Sequence, residues 1–282
     1  MLASDRSIPG GSGRFSWLVG TVSAVRFLQP EDLERHEVDP AAFTAATPFP
    51  HVVIDDFLPA EMATAAAVAF PSPDGWFTFH TATEPKKSAL ADSWRMPDDV
   101  RHVLAELNGA VALNWLEHLT SIGGLIPDPH YVGGGMHQTV SGGLLKVHAD
   151  FNRHDRLRSD RRLNLLIYLN QHWDDAWGGH LELWSADMSR CERRVAPVFN
   201  RCVIFATTDE SFHGHPDPMK LPDGVVRRSL ALYYYSNGRD DGVSAEGHST
   251  LFRERPGEAF AAPPLRVGDF VPPIVKRLLR RS

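Results

Sequence analysis

The feature that most constrains this chain is a His-x-Asp triplet, formed by His148 and Asp150, within a series of short apolar segments. Alternate residues of a β-strand point to the same side, so both side chains can reach one ion from the end of one strand. A distant histidine, His213 or His215, follows the apolar segment CVIFA. The pattern predicts a metal site whose ligands come from two strands that are far apart in the sequence.

Two histidines compete for the third ligand position. His213 lies nearer the preceding strand, and the Gly214 that follows it allows close backbone approach. His215 precedes a proline, which restricts it to extended geometry, and we expect it to line the mouth of the site. We favour His213 and keep His215 as the alternative. Two imidazoles and one carboxylate on one face of a metal are typical of non-haem Fe(II) oxygenases, and they leave positions open for a bidentate cosubstrate and O2.

A cationic anchor is predicted at the start of the last strong strand. Arg227 and Ser229 share one face of that strand, whereas Arg228 points to the other. A guanidinium binds a carboxylate through two hydrogen bonds, and a hydroxyl adds a further donor. We expect Arg227 and Ser229 to hold the distal carboxylate of a dicarboxylic keto acid, with Arg228 as the alternative.

Composition excludes several classes of protein. The 282 residues are 43% hydrophobic and 23% charged, with a net charge of -6, so no basic field for nucleic acid is expected. No apolar run is long enough to span a bilayer, and the N-terminus lacks the pattern of a signal peptide. We expect a cytoplasmic protein with a small-molecule substrate, no nucleic-acid or membrane partner, and Cys191 and Cys202 as thiols. The oligomeric state is unknown from the sequence.

The helical signals lie in the first half of the chain. A short helix around EDLERHEVDPAAF is expected to stop at Pro40. Residues 59–70 predict a helix with Pro59 in its first turn, and apolar spacing predicts one long helix over 98–122 that Gly109 weakens. The terminal VKRLLRRS predicts a basic helical end.

After Gly123 the pattern is all-β. Short segments rich in Val, Ile, Leu and Tyr alternate with Gly, Asp and Asn. They predict a mainly β protein with supporting helices: a double-stranded β-helix (jelly-roll, cupin-like) core, with N-terminal helices packed on one sheet. The expected divisions are an N-terminal arm over 1–47, partly irregular, a catalytic domain over 48–240 with its core at about 131–236, and a C-terminal extension over 241–282 packed on the same domain.

Over roughly residues 131–236 the chain resembles the 2-oxoglutarate/Fe(II) dioxygenases, in particular their prolyl-hydroxylase-like branch. The motifs that carry the resemblance are HAD at 148–150, IYLNQHW at 167–173, WGGHLELW at 177–184, PVFNRCVIFAT at 197–207, the FHGHP histidine segment, and RRSLALYY at 227–234. The resemblance implies the jelly-roll fold, iron held by His148, Asp150 and His213, and 2-oxoglutarate and O2 as cosubstrates.

The resemblance also implies contacts to the keto acid. The tyrosine of the family's YLN-type strand falls on Tyr168, and its arginine falls on Arg227. Many collagen-type members have Lys there, whereas the hypoxia-sensing type has Arg. A tyrosine that the hypoxia-sensing type carries upstream of the first ligand falls near Gln138, whose amide could hydrogen-bond instead.

The implied reaction is the oxidative decarboxylation of 2-oxoglutarate to succinate and CO2, coupled to hydroxylation of an unactivated C–H bond. Related halogenases replace the ligand carboxylate by a small residue, so Asp150 favours hydroxylation; desaturation and cyclisation stay open. The loop after the triplet is rich in cationic residues, which suggests an anionic substrate or simply a solvated loop; these residues are Arg153, His154, Arg156, Arg158, Arg161 and Arg162.

Three functions follow from these patterns. The first is hydroxylation of a small molecule that is amino acid-like or a natural-product intermediate. The second is hydroxylation of a peptidyl prolyl or other protein residue, because a fold does not choose its substrate. The third is non-catalytic, cupin-like metabolite binding. Turnover of 2-oxoglutarate separates the third from the first two.

Overall fold

A computed structural model describes residues 26–239, 241 and 246–260. Residues 1–25 of the expected N-terminal arm and the expected basic C-terminal helix lie outside these residues. The described strands are β1 (His51–Ile54), β2 (Phe77–Phe79), β3 (Lys87–Leu90), β4 (Ile126–Pro127), β5 (Gly135–Thr139), β6 (Leu145–Ala149), β7 (Arg153–His154), β8 (Ser159–Tyr168), β9 (Leu181–Trp184), β10 (Cys191–Val195), β11 (Cys202–Ala206), β12 (His213–His215), β13 (Arg227–Ser236) and β14 (Leu251–Phe252).

The strands form two antiparallel sheets. The large sheet has the order β1-β11-β8-β13-β5-β3-β2, with β4 beside β13 and β7 beside β8. The small sheet has the order β10-β9-β12-β6-β14. From β5 onwards the chain passes back and forth between the two sheets, and from β10 to β14 it changes sheet at every strand, as in a jelly roll. The predicted fold class is confirmed.

Strand β8 shows how the large sheet separates its core from the site. Its residues Leu163, Leu165 and Ile167 are buried in a cluster with the helices. The alternate residues Asn164, Leu166 and Tyr168 line a cavity between the sheets. The period of two in a strand thus assigns one face to helix packing and the other to the site.

The helices are α1 (Pro30–Glu34), α2 (Pro40–Ala45), α3 (Ala60–Val68), α4 (Asp98–Leu107) and α5 (Ala110–Thr120). The helix that was expected to stop at Pro40 is in fact two helices, and Pro40 starts the second. Proline is favoured in a first turn because the missing N–H has no partner there anyway. The preceding Asp39 caps α2 by accepting the Ala41 N–H at 2.9 Å.

The single long helix expected over 98–122 is also wrong. The chain leaves the helical conformation at Gly109, whose φ of -84° and ψ of 169° make it the N-cap of α5. Glycine costs about 1 kcal/mol in a helix interior, and the break lets α4 and α5 pack separately. Their apolar faces, including Leu104 and Leu116, are fully buried in the cluster against the large sheet.

The segment after β13 returns to the small sheet. Strand β14 pairs with β6, placing Phe252 opposite His148, and the Lys146 ammonium forms an ion pair with Glu258. No helix in the described ranges is long and apolar enough to cross a membrane.

Candidate metal centre

The register of the small sheet brings the distant ligands together. On β6 and β12, His148 lies directly opposite His213. A Cβ added at Gly214 would lie 2.7 Å from the Leu145 carbonyl oxygen and 2.9 Å from that of Lys146. Only glycine fits that approach, so the residue after His213 has the role that the sequence suggested.

Three side chains converge between the sheets. The ligand atoms offered by His148, Asp150 and His213 all lie within 4.8 Å of one another. Each imidazole Nε2 is 3.5 Å from an oxygen of Asp150: that of His148 from Oδ1 and that of His213 from Oδ2. All three residues are buried. Two imidazoles and a carboxylate on one side of a common centre fit Fe(II) with open positions opposite.

Backbone carbonyls orient both imidazoles. The Nδ1 of His148 lies 2.8 Å from the Lys146 oxygen, and the Nδ1 of His213 lies 2.9 Å from the Ser211 oxygen. A proton on each Nδ1 leaves each Nε2 lone pair directed to the centre. Burial, with the neighbouring His148, lowers the pKa of His213 to about 4, so the neutral ligand form prevails at neutral pH.

Two side chains fix the carboxylate. Its Oδ2 accepts a hydrogen bond from Arg161 Nη2 at 3.0 Å and one from Asn164 Nδ2 at 2.6 Å. The Asn164 Oδ1 accepts in turn from Arg161 Nε and Nη2, at 2.9 and 2.7 Å. Burial alone raises the pKa of a carboxyl, but Arg161 and His213 outweigh it and hold the pKa of Asp150 well below its usual range. The site is built to keep Asp150 ionised.

We expect Asn164→Ala to weaken metal binding about tenfold to hundredfold, the usual effect of losing a group that orients a ligand. The reason is that one of the two donors to the ligand carboxylate disappears. Co(II) affinity, measured by competition with a chelator, checks this. Asn170→Ala is the matched control, because Asn170 is also buried but bonds to Pro197 outside the site. Equal affinities in the two variants would remove Asn164 from the metal centre.

The cavity beside the triad has a volume of about 190 Å³. Tyr168, Arg227 and Ser229 line it, and Ser229 lies opposite Tyr168 in the register of β13 and β8. The guanidinium of Arg227 lies 4.9 Å from the Tyr168 ring centre, and its Nε donates to the Gly179 carbonyl at 2.8 Å. The predicted anchor face thus opens into the same cavity as the triad.

The surroundings of Arg227 fit a bound anion. The residue is buried, and burial lowers its pKa. Among the described residues no carboxylate lies within ion-pair distance of it, and its polar neighbour is the buried Tyr168, whose ring centre lies 4.9 Å from the guanidinium. A buried guanidinium without a counter-ion is costly. The carboxylate of 2-oxoglutarate would supply both the charge and the acceptor.

Arg228 and His215, the alternatives for the anchor and the third ligand, lie in less suitable positions. Arg228 faces away from the cavity, with its guanidinium 5.4 Å from the Phe70 ring centre. His215 lies in the same cavity as the triad, but it is opposite Leu145 rather than His148 and outside the group of converging ligands. The geometry therefore favours Arg227 over Arg228 and His213 over His215.

The predicted keto-acid contact of Gln138 is wrong. Gln138 is buried outside the cavity, where its Nε2 donates to the Pro71 carbonyl at 2.6 Å. Its neighbours His137 and Thr139 line the cavity instead. Adjacent residues of a strand point to opposite faces, so an alignment that is one residue out selects the wrong side chain.

Most residues of the cationic loop lie outside the iron cavity. Of its residues only Arg161 lines the cavity, and it is bound to Asp150. Arg162 donates to Ser236 instead, and Arg158 is exposed. Arg153, His154 and Arg156 line a neighbouring cavity.

Sequence reasoning missed several residues of the site. Asn164 is four residues before Tyr168 on one strand, and this even spacing puts both on one face; that signal was present in RRLNLLIYLN. Glu84 and Lys87 form an ion pair of 3.0 Å that lines the cavity. Nothing local in the sequence marks that pair, because β3 reaches the site only through its pairing with β5.

Comparison with known proteins agrees with this geometry. Residues 134–235 match the model of the 2OG-Fe(II) oxygenase superfamily. The chain is similar to the solved structure of a Pseudomonas putida prolyl-4-hydroxylase, with 20% identity, a TM-score of 0.53, and coverage of 71% of this chain and 99% of that one. It is also similar to a prolyl 4-hydroxylase from Phytophthora capsici, with 17% identity, a TM-score of 0.51, and coverage of 77% and 69%. No match was found among curated proteins.

At these identities the similarity to the solved structures shows a shared fold. The segment that matches the family model, in contrast, contains the residues of the site. The matched segment runs from β5 to β13 and includes the triad and the Arg227 anchor. The converging His-Asp-His group and the unpaired guanidinium are the features that iron and 2-oxoglutarate require. Residues 134–235 therefore match the 2OG-Fe(II) oxygenase superfamily, and the site they build is that of an iron- and 2-oxoglutarate-dependent dioxygenase.

Proposed function

We propose that His148, Asp150 and His213 hold Fe(II), and that the enzyme hydroxylates an unactivated C–H bond of a small molecule, releasing succinate and CO2. One observation carries the assignment: the three converging ligands open into a cavity that also contains a buried arginine with no carboxylate partner among the described residues. That combination suits a cosubstrate with a chelating group at one end and a carboxylate at the other.

The spacing along β8 supports this orientation. Asn164, which contacts Asp150, and Tyr168, beside Arg227, are four residues apart, which corresponds to roughly 13 Å along a strand. Leu166 faces the cavity between them. An extended dicarboxylate can therefore lie along β8 over an apolar side chain, with Arg227, Ser229 and Tyr168 holding its distal carboxylate.

Fe(II), 2-oxoglutarate and O2 together supply the oxidising chemistry, which belongs to the cofactor. The protein residues orient the iron ligands and exclude a halide from the iron. Arg161 and Asn164 fix Asp150, so the carboxylate occupies its ligand position and leaves no space there for a halide. This arrangement supports hydroxylation rather than halogenation.

The substrate class is supported by the walls of the cavity. Phe79, Phe151 and Tyr233 line it beside the Glu84–Lys87 ion pair. A space of about 190 Å³ admits a small reacting group more readily than a peptide backbone. We therefore place a small molecule ahead of a prolyl peptide.

Succinate release tests the substrate class. The Fe(II)-loaded enzyme is given 2-oxoglutarate with free amino acids, anionic small metabolites, or proline-containing peptides. The expected result is substrate-dependent succinate formation, with a hydroxylated product, in one of the small-molecule sets. Stimulation by the peptides alone would replace the proposal with peptidyl hydroxylation.

A further inference from the structure

A second cavity adjoins the iron cavity. It has a volume of about 590 Å³ and is lined by residues 153–156 and 247–250, together with Val132 and Phe151. Phe151 and Thr250 line both cavities. The two spaces therefore meet at these side chains, beside Asp150.

The sizes of the two cavities imply that they hold different parts of the substrate. Pockets for whole small-molecule ligands usually measure about 300–1,000 Å³. The iron cavity, at about 190 Å³, must already hold 2-oxoglutarate and the carbon to be oxidised. The remainder of any substrate larger than a few atoms must lie outside it, and the second cavity is large enough to hold that part.

The walls of the second cavity are basic. Arg153 and Arg156 line it against one acidic residue, Asp155. His248 also lines it, and its Nε2 lies 2.8 Å from Asp209 Oδ1. Arg156 is exposed, and among the described residues its guanidinium makes no hydrogen bond or ion pair. A flexible cation next to a cavity is free to bind an oxyanion.

We propose that this second cavity binds the anionic end of an extended substrate, a phosphate or carboxylate group, while the other end enters the iron cavity past Phe151 and Thr250. The assignment of this anion to the substrate rests on the proposed function. The principal anion contact is Arg156, with Arg153 contributing to the positive wall. The substrate is therefore a small molecule with an oxyanion distant from the carbon that is hydroxylated.

Two variants and a control test the anion site. Arg156→Gln removes the charge and keeps a polar side chain. Gly247→Trp fills the cavity: a Cβ there would meet only the Arg153 side chain, at 3.6 Å. Arg158→Gln is the control, because Arg158 is exposed on the same loop and lies outside both cavities.

The probes are radiolabelled inorganic phosphate and labelled acetate, with binding to the full chain measured by equilibrium dialysis. We expect one of them to bind, with affinity about tenfold lower in Arg156→Gln, as for loss of one charge-assisted hydrogen bond. Gly247→Trp should also lose binding and Arg158→Gln should retain it. The preferred anion distinguishes a phosphorylated substrate from a carboxylated one. Equal binding in all four proteins, or no binding of either anion, overturns the proposal.

Proximity to the iron site is tested by nuclear relaxation. The protein is loaded with Mn(II) and 2-oxoglutarate, and the relaxation of the bound anion is compared with that in the Zn(II)-loaded protein. Enhancement by Mn(II) is expected; anion binding without it would place the anion away from the metal and contradict the proposal that the substrate reaches from one cavity into the other. The Mn(II) electron paramagnetic resonance signal is followed separately. A failure of the metal site would therefore appear there and not in the dialysis.

Discussion

Replacing His148, Asp150 or His213 by alanine is expected to abolish iron-dependent turnover of 2-oxoglutarate. Each side chain supplies one of three ligand atoms that converge within 4.8 Å, and the loss of any one removes the three-ligand geometry on which hydroxylation depends. Succinate release at saturating iron and 2-oxoglutarate measures the loss. His172→Ala, at an exposed histidine outside the site, should keep full activity.

A companion variant decides between the two histidines of β12. His215→Ala should retain metal binding, because His215 lies opposite Leu145 and outside the converging group. An active His213→Ala protein together with a His215→Ala protein that binds no metal would move the third ligand to His215 and refute the present assignment.

Asp150→Ala is also expected to destabilise the protein, because the carboxylate neutralises a buried cation. Arg161 is fully buried, and its Nη2 donates to Asp150 at 3.0 Å. Leaving such a charge without its partner typically costs about 3–5 kcal/mol of stability. Circular dichroism and chemical unfolding therefore accompany the activity measurement. Asp150→Asn, which keeps the side-chain shape, should lose activity with a smaller loss of stability.

Arg227→Ala is expected to raise the 2-oxoglutarate concentration required for half-maximal turnover about 100-fold. Truncating one partner of a buried, hydrogen-bonded charge pair costs roughly 2–5 kcal/mol, and each 1.4 kcal/mol is about tenfold in affinity. The effect should be in 2-oxoglutarate binding, since Arg227 lies on the anchor face with Ser229 and Tyr168 rather than among the metal ligands. Titration of 2-oxoglutarate in the succinate assay measures it.

The control for this prediction lies on the same strand. Arg228→Ala removes the same type of side chain from the opposite face, where the guanidinium packs on Phe70, and should leave the 2-oxoglutarate requirement nearly unchanged. Arg227→Lys should recover part of the affinity, because an ammonium keeps the charge but not the bidentate geometry. Equal small effects of the two alanine variants would contradict the keto-acid assignment.

Strand periodicity explains what the sequence could predict. The placement of His148 with Asp150, and of Arg227 with Ser229, needed only the rule that alternate residues share a face. The same rule, applied one residue out of register, selected Gln138 in place of its cavity-facing neighbours His137 and Thr139. Predictions from a strand therefore succeed when the register is fixed by a motif and fail when it is carried over from a less certain alignment.

Long-range pairing explains what the sequence could not predict. Glu84 reaches the cavity because the strand after it pairs with β5, and no local pattern encodes that contact. The second cavity likewise needs residues 153–156 and 247–250 to meet. The helix boundaries failed for a different reason: at Pro40 and Gly109 the chain starts a new helix, and the tertiary packing decides whether such a residue ends one helix or begins another.

If one cavity holds both Fe(II) and 2-oxoglutarate, anaerobic titration of the Fe(II)-loaded protein with 2-oxoglutarate should change its visible absorption. We expect a weak charge-transfer band that grows to a saturating, stoichiometric end point and is absent in the His213→Ala protein. Bound iron with no band at any 2-oxoglutarate concentration would contradict this expectation, because the keto acid would then not chelate the metal at this site.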